Sequence, residues 1–325
     1  MRFFALGETK ILGQAVSHAS GISLDLHEER DFAGGEHKSR PLVSVRGSDV
    51  YVLHSLAGRD RCSANDKLCK LLFFIAACRE NGAARITAVV PYLAYSRKDR
   101  QTKARDPVTT RYVAQLFEAV GTDTVVTLDV HNIAAFQNAF RCRSVHLDSR
   151  QLFAGVMMQK AAGRPVVVFS PDGGGIKRAQ LLRETLESVS GTAIGFGFAE
   201  KRRSRGVVSG SLFAGDVDNS AVFIVDDMIS TGGTMTRSAQ ACRERGAAVV
   251  YAIATHGLFD PGVEAMLADP AIDGTIVTDS VAPFSVPQET LNASVEVVSV
   301  APLIGEAIKR LHSGGSISEL LRVED

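Results

Sequence analysis

The stretch VFIVDDMISTGGT (222–234) joins an apolar run to two acidic residues and a loop of small residues. Its continuous Val, Ile and Phe content predicts a strand covered on both faces, as in a parallel sheet. Asp226 and Asp227 stand at the carboxyl end of this strand, and a helical pattern over 237–245 follows the loop. Ligands bind beyond the carboxyl ends of strands in open parallel sheets, so this junction predicts both the fold class and the place of the chemistry.

The same alternation of strand and helix recurs along the 325 residues. Further apolar runs that predict strands are RITAVVPY (85–92), TVVTLDVH (124–131), PVVVFSPD (165–172) and AVVYAIATHG (248–257). A helix is predicted over 64–80, where we expect Asn65 or Asp66 to cap the start and Gly82 to end the element. This alternation predicts an α/β fold with right-handed crossovers.

The length suits two domains of ordinary size. A change of pattern at about 141–164 separates two halves that each predict a mostly parallel sheet flanked by helices. We place one domain over 1–146 and the other over 147–325, with a C-terminal segment that can pack back on the first. The stretches 206–216 and 281–290 read as loops.

Charge and composition exclude several classes of protein. The 36 basic and 36 acidic residues cancel, which argues against a nucleic-acid or polybasic membrane binder, so phosphate binding must come from local clusters. Hydrophobic residues make up 45% of the chain, which excludes a disordered protein. Five cysteines without a CxxC pair indicate free thiols in a reducing cytoplasm. The start of the chain lacks a signal-peptide core, and the apolar run at 71–78 is too short to cross a bilayer.

The loop after the 222–229 run has the composition of a phosphate-binding turn. Its members are Ser230, Thr231, Gly232, Gly233 and Thr234. Small residues let backbone amides approach a phosphate, and the following helix adds partial positive charge. The adjacent carboxylates suit the hydroxyls of a sugar, or a metal ion that bridges sugar and diphosphate. A purely structural junction is the alternative, and two acidic residues directly before such a loop disfavour it.

Two other strand ends in the second half carry polar motifs. VVVFSPDGGG (166–175) places Asp172 before three glycines, a turn that can cradle a diphosphate or can be a flexible loop. EKRRSR (200–205) follows TAIGFGFA (192–199), which we predict as a central strand. Such a charge run is usually a solvated face, but here it can neutralise a polyphosphate during phosphoryl transfer.

The first half offers a histidine–carboxylate pair and a basic loop. Asp129 and His131 are alternate residues of a predicted strand, which we expect to point to the same face. They can join a magnesium–nucleotide site or orient a phosphate, although a lone histidine is more often structural. YLAYSRKDRQTKARD (92–106) carries cations and two tyrosines. It can grip a triphosphate or stack on a purine, and otherwise it is a basic surface loop.

In this order the motifs resemble those of the ribose-phosphate pyrophosphokinase family, also called phosphoribosyl-diphosphate synthetases. The resemblance covers nearly the whole chain and rests on FAGGE (32–36), SANDKL (63–68), ARITAVVPYLAYSRKDR (84–100), DVH (129–131), SPDGGG (170–175), EKRR (200–203), VDDMISTGGT (225–234), YAIATHGLF (251–259) and LHSGGSIS (311–318). It implies two phosphoribosyltransferase-like domains. It also implies transfer of the β,γ-diphosphoryl group of ATP to the 1-hydroxyl of ribose 5-phosphate, which supplies phosphoribosyl diphosphate for nucleotide biosynthesis and releases AMP.

The resemblance also implies roles for individual residues of the second half and a catalytic role for one residue of the first. The residues matched to ribose 5-phosphate are Asp172, Gly173, Gly174, Asp226, Asp227, Ser230, Thr231, Gly232, Gly233 and Thr234. Among them, Asp226 and Asp227 would hold the ribose hydroxyls and 231–234 the 5-phosphate. The residues matched to catalysis are Lys201, Arg203 and His131, of which the two cations would stabilise the transferring group.

The resemblance assigns ATP to the first half and its Mg²⁺ to residues of both halves. The residues matched to ATP are Phe32, Glu36, Arg97, Lys98, Asp99, Arg100 and His131. Those matched to Mg²⁺ are Asp129, His131 and Asp172. In the family, a neighbouring subunit completes the adenine pocket with the loop that matches Phe32 and Glu36. The resemblance therefore implies a cytoplasmic homo-oligomer, a hexamer built from dimers, with neither a nucleic-acid nor a membrane partner.

Departures from the family pattern concentrate in the first half. Gly34 stands where the adenine loop is usually acidic, Lys98 stands where the family has glutamine, and 132–140 and 7–10 differ from the usual motifs. They leave the choice of nucleotide, the number of metal ions and regulation by phosphate or ADP open.

Two other functions are compatible with the motifs. The first is a catalytically silent partner that regulates true synthetases, against which retention of the matched catalytic residues counts. The second is a phosphoribosyltransferase, which would have no use for the ATP-like first half.

Overall fold

The computed structural model describes residues 1–59, 62–204, 207–282 and 284–322, and over 200–204 and 207–211 it describes the backbone alone. The chain forms two compact units. The first comprises Met1–Asp148, a short segment that begins at Ser280, and Ser299–Arg322. The second comprises Ser149–Asp279 and Phe284–Val298.

Each unit contains a parallel sheet. The strands are β1 (Arg2–Ala5), β2 (His27–Asp31), β3 (His37–Pro41), β4 (Asp49–Leu53), β5 (Arg85–Val90), β6 (Thr124–Leu128), β7 (Arg143–Leu147), β8 (Val166–Ser170), β9 (Gly195–Ser204), β10 (Val207–Ala214), β11 (Ala221–Ile229), β12 (Val249–Gly257), β13 (Gly274–Thr278) and β14 (Val295–Val298). The first unit has the order β1-β4-β5-β6-β7, all parallel, beside an antiparallel β2–β3 hairpin. The second has the order β10-β9-β8-β11-β12-β13-β14, in which β10 alone is antiparallel to its neighbour.

Helices connect most of the strands. They are α1 (Lys10–Ser20), α2 (Ala64–Glu80), α3 (Thr109–Ala119), α4 (Ile133–Ala139), α5 (Arg150–Ala161), α6 (Ile176–Ser190), α7 (Gly233–Arg243), α8 (Glu264–Leu267), α9 (Gln288–Ser294), α10 (Ala301–Ser313) and α11 (Ile317–Leu320). Short 3₁₀ helices occupy Gly7–Thr9 and Asp279–Val281. The predicted α/β class, with a mostly parallel sheet flanked by helices, is confirmed.

The predicted helix at 64–80 has the expected bounds but a different cap. Ser63 is the N-cap residue: its hydroxyl accepts the N–H of Asp66 at 3.2 Å, and the Asp66 carboxylate accepts the N–H of Ser63 at 2.8 Å. This capping box satisfies two backbone donors at once. The prediction of Asn65 or Asp66 as the cap was therefore wrong by two or three positions.

Continuous apolar runs do form strands buried on both faces. Every residue of β6 and of β8 is buried, and Asp226 is the one residue of β11 that is not. Large side chains such as Phe169 and Phe223 are fully buried in the second unit. Burial of one such side chain contributes about 1.5–3 kcal/mol, so the strands that carry the polar loops are firmly anchored.

Three predictions in the second half need correction. The stretch 206–216 is not a loop, because 207–214 forms β10, whose Phe213 lies opposite Ala199 of β9. Its Gly and Ser content suggests a turn, but here it coincides with a register shift between Val208 and Ser211, and Gly within a strand often marks such an irregularity. β9 continues through the basic run to Ser204 and is second from the sheet edge rather than central. The stretch 281–290 is partly helical, since α9 begins at Gln288.

The C-terminal segment 299–322 belongs to the first unit. Helix α10 packs on α1 so closely that a Cβ atom on Gly305 would lie 2.6 Å from the Cβ of Ser20. The Nδ1 of His312 lies 2.8 Å from a carboxylate oxygen of Asp49, and Arg85 donates to the carbonyl of Leu311 at 3.2 Å. The last helices therefore complete the sheet unit built from residues 1–148.

All five cysteines are free thiols, as the sequence predicts. Burial raises the pKa of Cys78 and of Cys242 to about 12, so both stay protonated at neutral pH. Across the described residues, no helix has the length and apolar character that crossing a membrane demands.

Candidate functional site

The acidic pair and the loop of small residues lie at the carboxyl end of β11 in the second unit. β11 runs on to Ile229, so Asp226 and Asp227 lie within the last four residues of the strand. Asp226 pairs with Ala254 of β12. We call 230–234 the small-residue loop. It leads into α7, which begins at Gly233 rather than at the predicted 237. Gly232 is the N-cap residue with a left-handed φ of 77°, so the loop presents the helix N-terminus at the sheet edge.

An arginine that sequence reasoning missed holds the acidic pair. Arg178, in the first turn of α6, places Nη1 3.1 Å from Oδ1 of Asp226 and Nη2 3.7 Å from Oδ1 of Asp227. Asp226 also accepts the backbone N–H of Asp227 at 2.9 Å. The contact depends on where α6 crosses β11, which the local sequence pattern does not reveal.

The environment of the pair disfavours two negative charges. Asp227 is 2% exposed. Burial, and after it the charge of Asp227, raise the pKa of Asp226 to about 7, while Arg178 acts in the opposite direction. One carboxylate oxygen of the pair is therefore close to taking up a proton at neutral pH. A ligand that donates hydrogen bonds, such as a sugar hydroxyl, would favour the fully ionised pair.

The glycine-rich turn after β8 is closed by its own aspartate. Oδ1 of Asp172 accepts the N–H of Gly175 at 2.9 Å, and the hydroxyl of Ser170 donates to the Asp172 carbonyl at 2.7 Å. Gly173, Gly174 and Asp172 are exposed. Because Arg178 belongs to the helix that follows this turn, α6 brings the turn and the acidic pair to one edge of the sheet.

A second arginine lies beside the small-residue loop. Arg237 in α7 donates to the hydroxyl oxygen of Thr234 at 3.2 Å, which leaves the Thr234 hydroxyl proton for another acceptor. Thr231 is exposed, and Gly233 begins the helix. Backbone amides, threonine hydroxyls and a cation thus occur together, and this set matches an anion that only accepts hydrogen bonds.

Lys201 and Arg203, predicted as catalytic, lie outside the residues whose side chains the structure describes. Their backbone belongs to β9, which pairs in parallel with β8 up to Ser170 opposite Phe198. The basic run therefore continues the strand next to the one that ends in the glycine-rich turn.

The geometry around Asp129 and His131 differs from the prediction. β6 ends at Leu128, and Asp129 has a left-handed φ of 39°, so the two residues are not alternate members of a strand. The backbone N–H of Asp129 donates to the carbonyl of Leu147 at 3.0 Å, and its carboxylate lies 3.9 Å from Nε2 of His146. His131 is exposed, whereas the Asp129 side chain is only 15% exposed.

The basic loop (97–105) meets the segment after β6. The side chain of Asn132, which also caps α4, donates to the carboxylate of Asp99 at 2.8 Å. The predicted cations of this loop, Arg97, Lys98 and Arg100, are exposed. The loop begins after Tyr95, whose left-handed φ of 66° marks a constrained turn.

Phe32 and Glu36 lie at the tip of the β2–β3 hairpin. The N–H of Phe32 donates to the carbonyl of Glu36 at 2.8 Å, and the Arg30 guanidinium lies 5.0 Å from the Phe32 ring centroid. The Phe32 side chain is 42% exposed. Among the residues that the structure describes, no hydrogen bond or ion pair joins this tip to the basic loop.

The side chains that could hold Mg²⁺ are dispersed carboxylates and not a cluster among the residues that the structure describes. In the described part of the chain, no group of three or more His, Cys, Asp or Glu side chains could hold a metal ion. Mg²⁺ usually takes one or two protein carboxylates together with substrate phosphates, so Asp129 or Asp172 fits as a single oxygen ligand. The imidazole of His131 is a less suitable ligand for this hard cation.

Family models match both halves of the chain. Residues 1–121 match the N-terminal domain of ribose phosphate pyrophosphokinase, and residues 210–322 match the phosphoribosyl synthetase-associated domain.

Similar proteins match over nearly the full length. The ribose-phosphate pyrophosphokinase of Haemophilus ducreyi is 37% identical over 98% of this chain and 98% of that protein. That of Caldanaerobacter subterraneus subsp. tengcongensis is 36% identical over 98% of this chain and 97% of that protein. The crystal structure of phosphoribosylpyrophosphate synthetase from Mycobacterium smegmatis has a TM-score of 0.86 and 30% identity, covering 97% of this chain and 99% of that one.

Proposed function

The chain belongs to the ribose-phosphate pyrophosphokinase family, and from this premise we propose that it transfers the β,γ-diphosphoryl group of ATP to ribose 5-phosphate. In this reaction the 1-hydroxyl oxygen of the sugar attacks the β-phosphorus. The bond between that phosphorus and the α,β-bridging oxygen breaks, AMP leaves, and the hydroxyl proton is lost. The enzyme is a transferase of nucleotide biosynthesis.

The observation that carries the proposal is the arrangement at the end of β11. The acidic pair Asp226–Asp227 directly precedes the small-residue loop and the N-terminus of α7. Carboxylates suit the hydroxyls of a sugar, and the loop amides suit its 5-phosphate. The second unit is thus proposed to bind ribose 5-phosphate, with the turn at Asp172–Gly174 beside the carbon that reacts.

The first unit is proposed to bind ATP. Arg97, Lys98 and Arg100 supply exposed positive charge for a triphosphate, and Asp99 is oriented by Asn132. Phe32 and Glu36 at the hairpin tip are proposed to complete the adenine pocket of a neighbouring copy in a homo-oligomer, a hexamer built from dimers.

Catalysis is proposed to rest on alignment and charge stabilisation rather than on a strong base. Lys201 and Arg203 would stabilise the transferring group, and His131 would contact the phosphates of ATP. Asp129 and Asp172 are the carboxylates proposed to hold Mg²⁺, which when bound supplies positive charge to the triphosphate. A cytoplasmic location fits the five free thiols.

Formation of AMP tests the reaction. Incubation of the full chain with ATP, Mg²⁺ and ribose 5-phosphate should yield AMP and phosphoribosyl diphosphate in equal amounts. Absence of AMP over a range of metal and phosphate concentrations would contradict the proposal. Ribose 5-phosphate binding without AMP formation would favour a silent regulatory partner. Consumption of phosphoribosyl diphosphate in the presence of a purine or pyrimidine base would favour a phosphoribosyltransferase.

The raised pKa of Asp226 predicts a pH dependence of sugar binding. Accepting ribose hydroxyls favours the ionised carboxylate, so affinity for ribose 5-phosphate, measured by calorimetry without metal, should rise from about pH 6 to about pH 8. The substrate phosphate also loses a proton near pH 6. Asp226→Asn provides the control, because it keeps only the part of the pH dependence that belongs to the phosphate.

The raised pKa of Asp226 also predicts that the stability of the fold falls with pH, whereas the affinity for the sugar rises. The folded chain holds a proton that the unfolded chain has lost between about pH 4 and about pH 7, so this group destabilises the fold as pH rises through that window. Asp226→Asn should therefore have the higher free energy of unfolding at about pH 8. Equal pH profiles of binding and of stability in the variant and the native chain would contradict the assignment.

A further inference from the structure

The small-residue loop is held by a second loop, between β12 and α8. The hydroxyl of Ser230 donates to Oδ2 of Asp260 at 2.5 Å. In return the backbone N–H of Asp260 donates to the carbonyl of Ser230 at 3.2 Å, and that of Phe259 donates to the carbonyl of Ile229 at 3.0 Å. Three hydrogen bonds therefore join the end of β11 to residues 259–260.

The loop that supplies Asp260 is itself constrained. Phe259 has a left-handed φ of 51°, which is unusual for a bulky side chain. It is 1% exposed, and its ring lies 5.4 Å from that of Phe284. Such a conformation persists only where the surroundings hold it, so Asp260 is presented from a fixed position although its own side chain is exposed.

Hydrogen-bond capacity limits what Ser230 can do. A serine hydroxyl carries one proton, and here that proton goes to the Asp260 carboxylate. A phosphate dianion has acceptors only, so the Ser230 side chain cannot donate to it while this bond exists. The donors left to a phosphate are the backbone amides of the loop and the hydroxyls of Thr231 and Thr234.

On the basis of the proposed function, we propose that Asp260 is a positioning residue of the ribose 5-phosphate site. It fixes Ser230 and thereby the orientation of the loop amides, and Ser230 serves the site through this bond instead of through direct contact with the phosphate. The family resemblance places Ser230 among the residues for ribose 5-phosphate and gives Asp260 no role.

Asp260→Ala separates the two roles of Ser230. If Asp260 positions the loop, its removal should weaken ribose 5-phosphate binding, and raise the KM for that substrate, by roughly tenfold, the effect of one lost charge-assisted hydrogen bond. The KM for ATP should stay unchanged. If Ser230 contacts the phosphate instead, Asp260→Ala frees the donor and removes a negative charge, so binding should stay equal or tighten. That result would overturn the proposal.

Three further variants sharpen the test. Asp260→Asn keeps an oxygen that accepts the Ser230 proton and should stay within about threefold of the native chain. Ser230→Ala should match Asp260→Ala, and the double variant should be no worse than either, because the residues act as one unit. Additive losses would contradict the proposal. Asp269→Ala is the matched control, since the Asp269 carboxylate also accepts hydrogen bonds within the second unit, from Gln240 at 3.1 Å and from the Ala271 N–H at 2.9 Å.

Hydrogen–deuterium exchange tests the positioning role of Asp260 without relying on the proposed enzymatic activity. Amides of 230–234 in the full-length chain without ligand should exchange faster in Asp260→Ala than in Asp260→Asn, Asp269→Ala or the native protein. Unchanged exchange would overturn the positioning role whether or not the chain forms AMP. A native chain that neither binds ribose 5-phosphate nor forms AMP would overturn the proposed function alone.

Discussion

Replacement of Lys201 by alanine is expected to lower kcat by about 100- to 1,000-fold without unfolding the protein. Transfer of a diphosphoryl group builds negative charge on the leaving and transferring oxygens, and little covalent chemistry is asked of the protein. A cation aligned with that charge contributes more in the transition state than in the ground state. The loss should therefore appear in kcat, while the KM for both substrates changes little.

Steady-state rates of AMP formation measure this effect, and Lys160→Ala is the matched control. Lys160 is a cation of the same unit that pairs with Glu296 at 2.8 Å. Loss of that exposed pair should cost about 1 kcal/mol of stability or less and leave kcat unchanged. Near-native kcat in Lys201→Ala would remove Lys201 from the catalytic set.

Gly232→Ala is expected to weaken ribose 5-phosphate binding by about 100-fold. Gly232 has a φ of 77°, a region that costs an alanine about 1–2 kcal/mol. An added Cβ would also lie 2.7 Å from both Cβ and Cγ of Met266 and would contact its sulfur. Met266 is buried, so the loop has to move instead and its amides lose their orientation.

Two variants, compared by calorimetry and thermal unfolding, distinguish the cost of the left-handed backbone from the clash with Met266. Gly191 has a similar φ of 64° but no atom within 4 Å of an added Cβ, so Gly191→Ala carries the backbone cost alone and should leave binding unchanged. Met266→Ala combined with Gly232→Ala should recover part of the lost affinity, because two of the contacting atoms are removed. Native-like binding by Gly232→Ala would show that the loop does not need this conformation.

Local patterns predicted the order of elements at the end of β11, since its strand, its run of small residues and its helix are contiguous in the chain. The same patterns failed where the backbone departs from the strand or where a contact joins distant parts of the chain. The N–H of Asp129 still bonds to Leu147 of the next strand, but its left-handed φ ends the strand alternation, so its spacing from His131 carried no information about a shared face. Arg178 was missed because its partners Asp226 and Asp227 are about fifty residues away in the chain.

Prediction of loops from composition failed in one instructive place. The Gly and Ser residues of 207–214 suggest a turn, yet β10 pairs with the strand that carries the basic run. A hairpin forms when each strand supplies the hydrogen-bond partners for the backbone of the other. The composition of one strand alone does not show whether such a partner is present. The backbone of Lys201 and of Arg203 consequently belongs to β9, whereas the sequence pattern placed the basic run after the strand.

The assignment of 299–322 to the first unit has a consequence for synthesis of the protein. A nascent chain finishes Asp148 about 150 residues before it reaches this segment, roughly 8–30 s at ribosomal rates. Throughout that time α1 lacks the helix that covers it around Ser20, and Asp49 lacks His312. The first unit must therefore wait for the codons of 299–322, and a polypeptide that stops before them exposes an incomplete unit to chaperones and proteases.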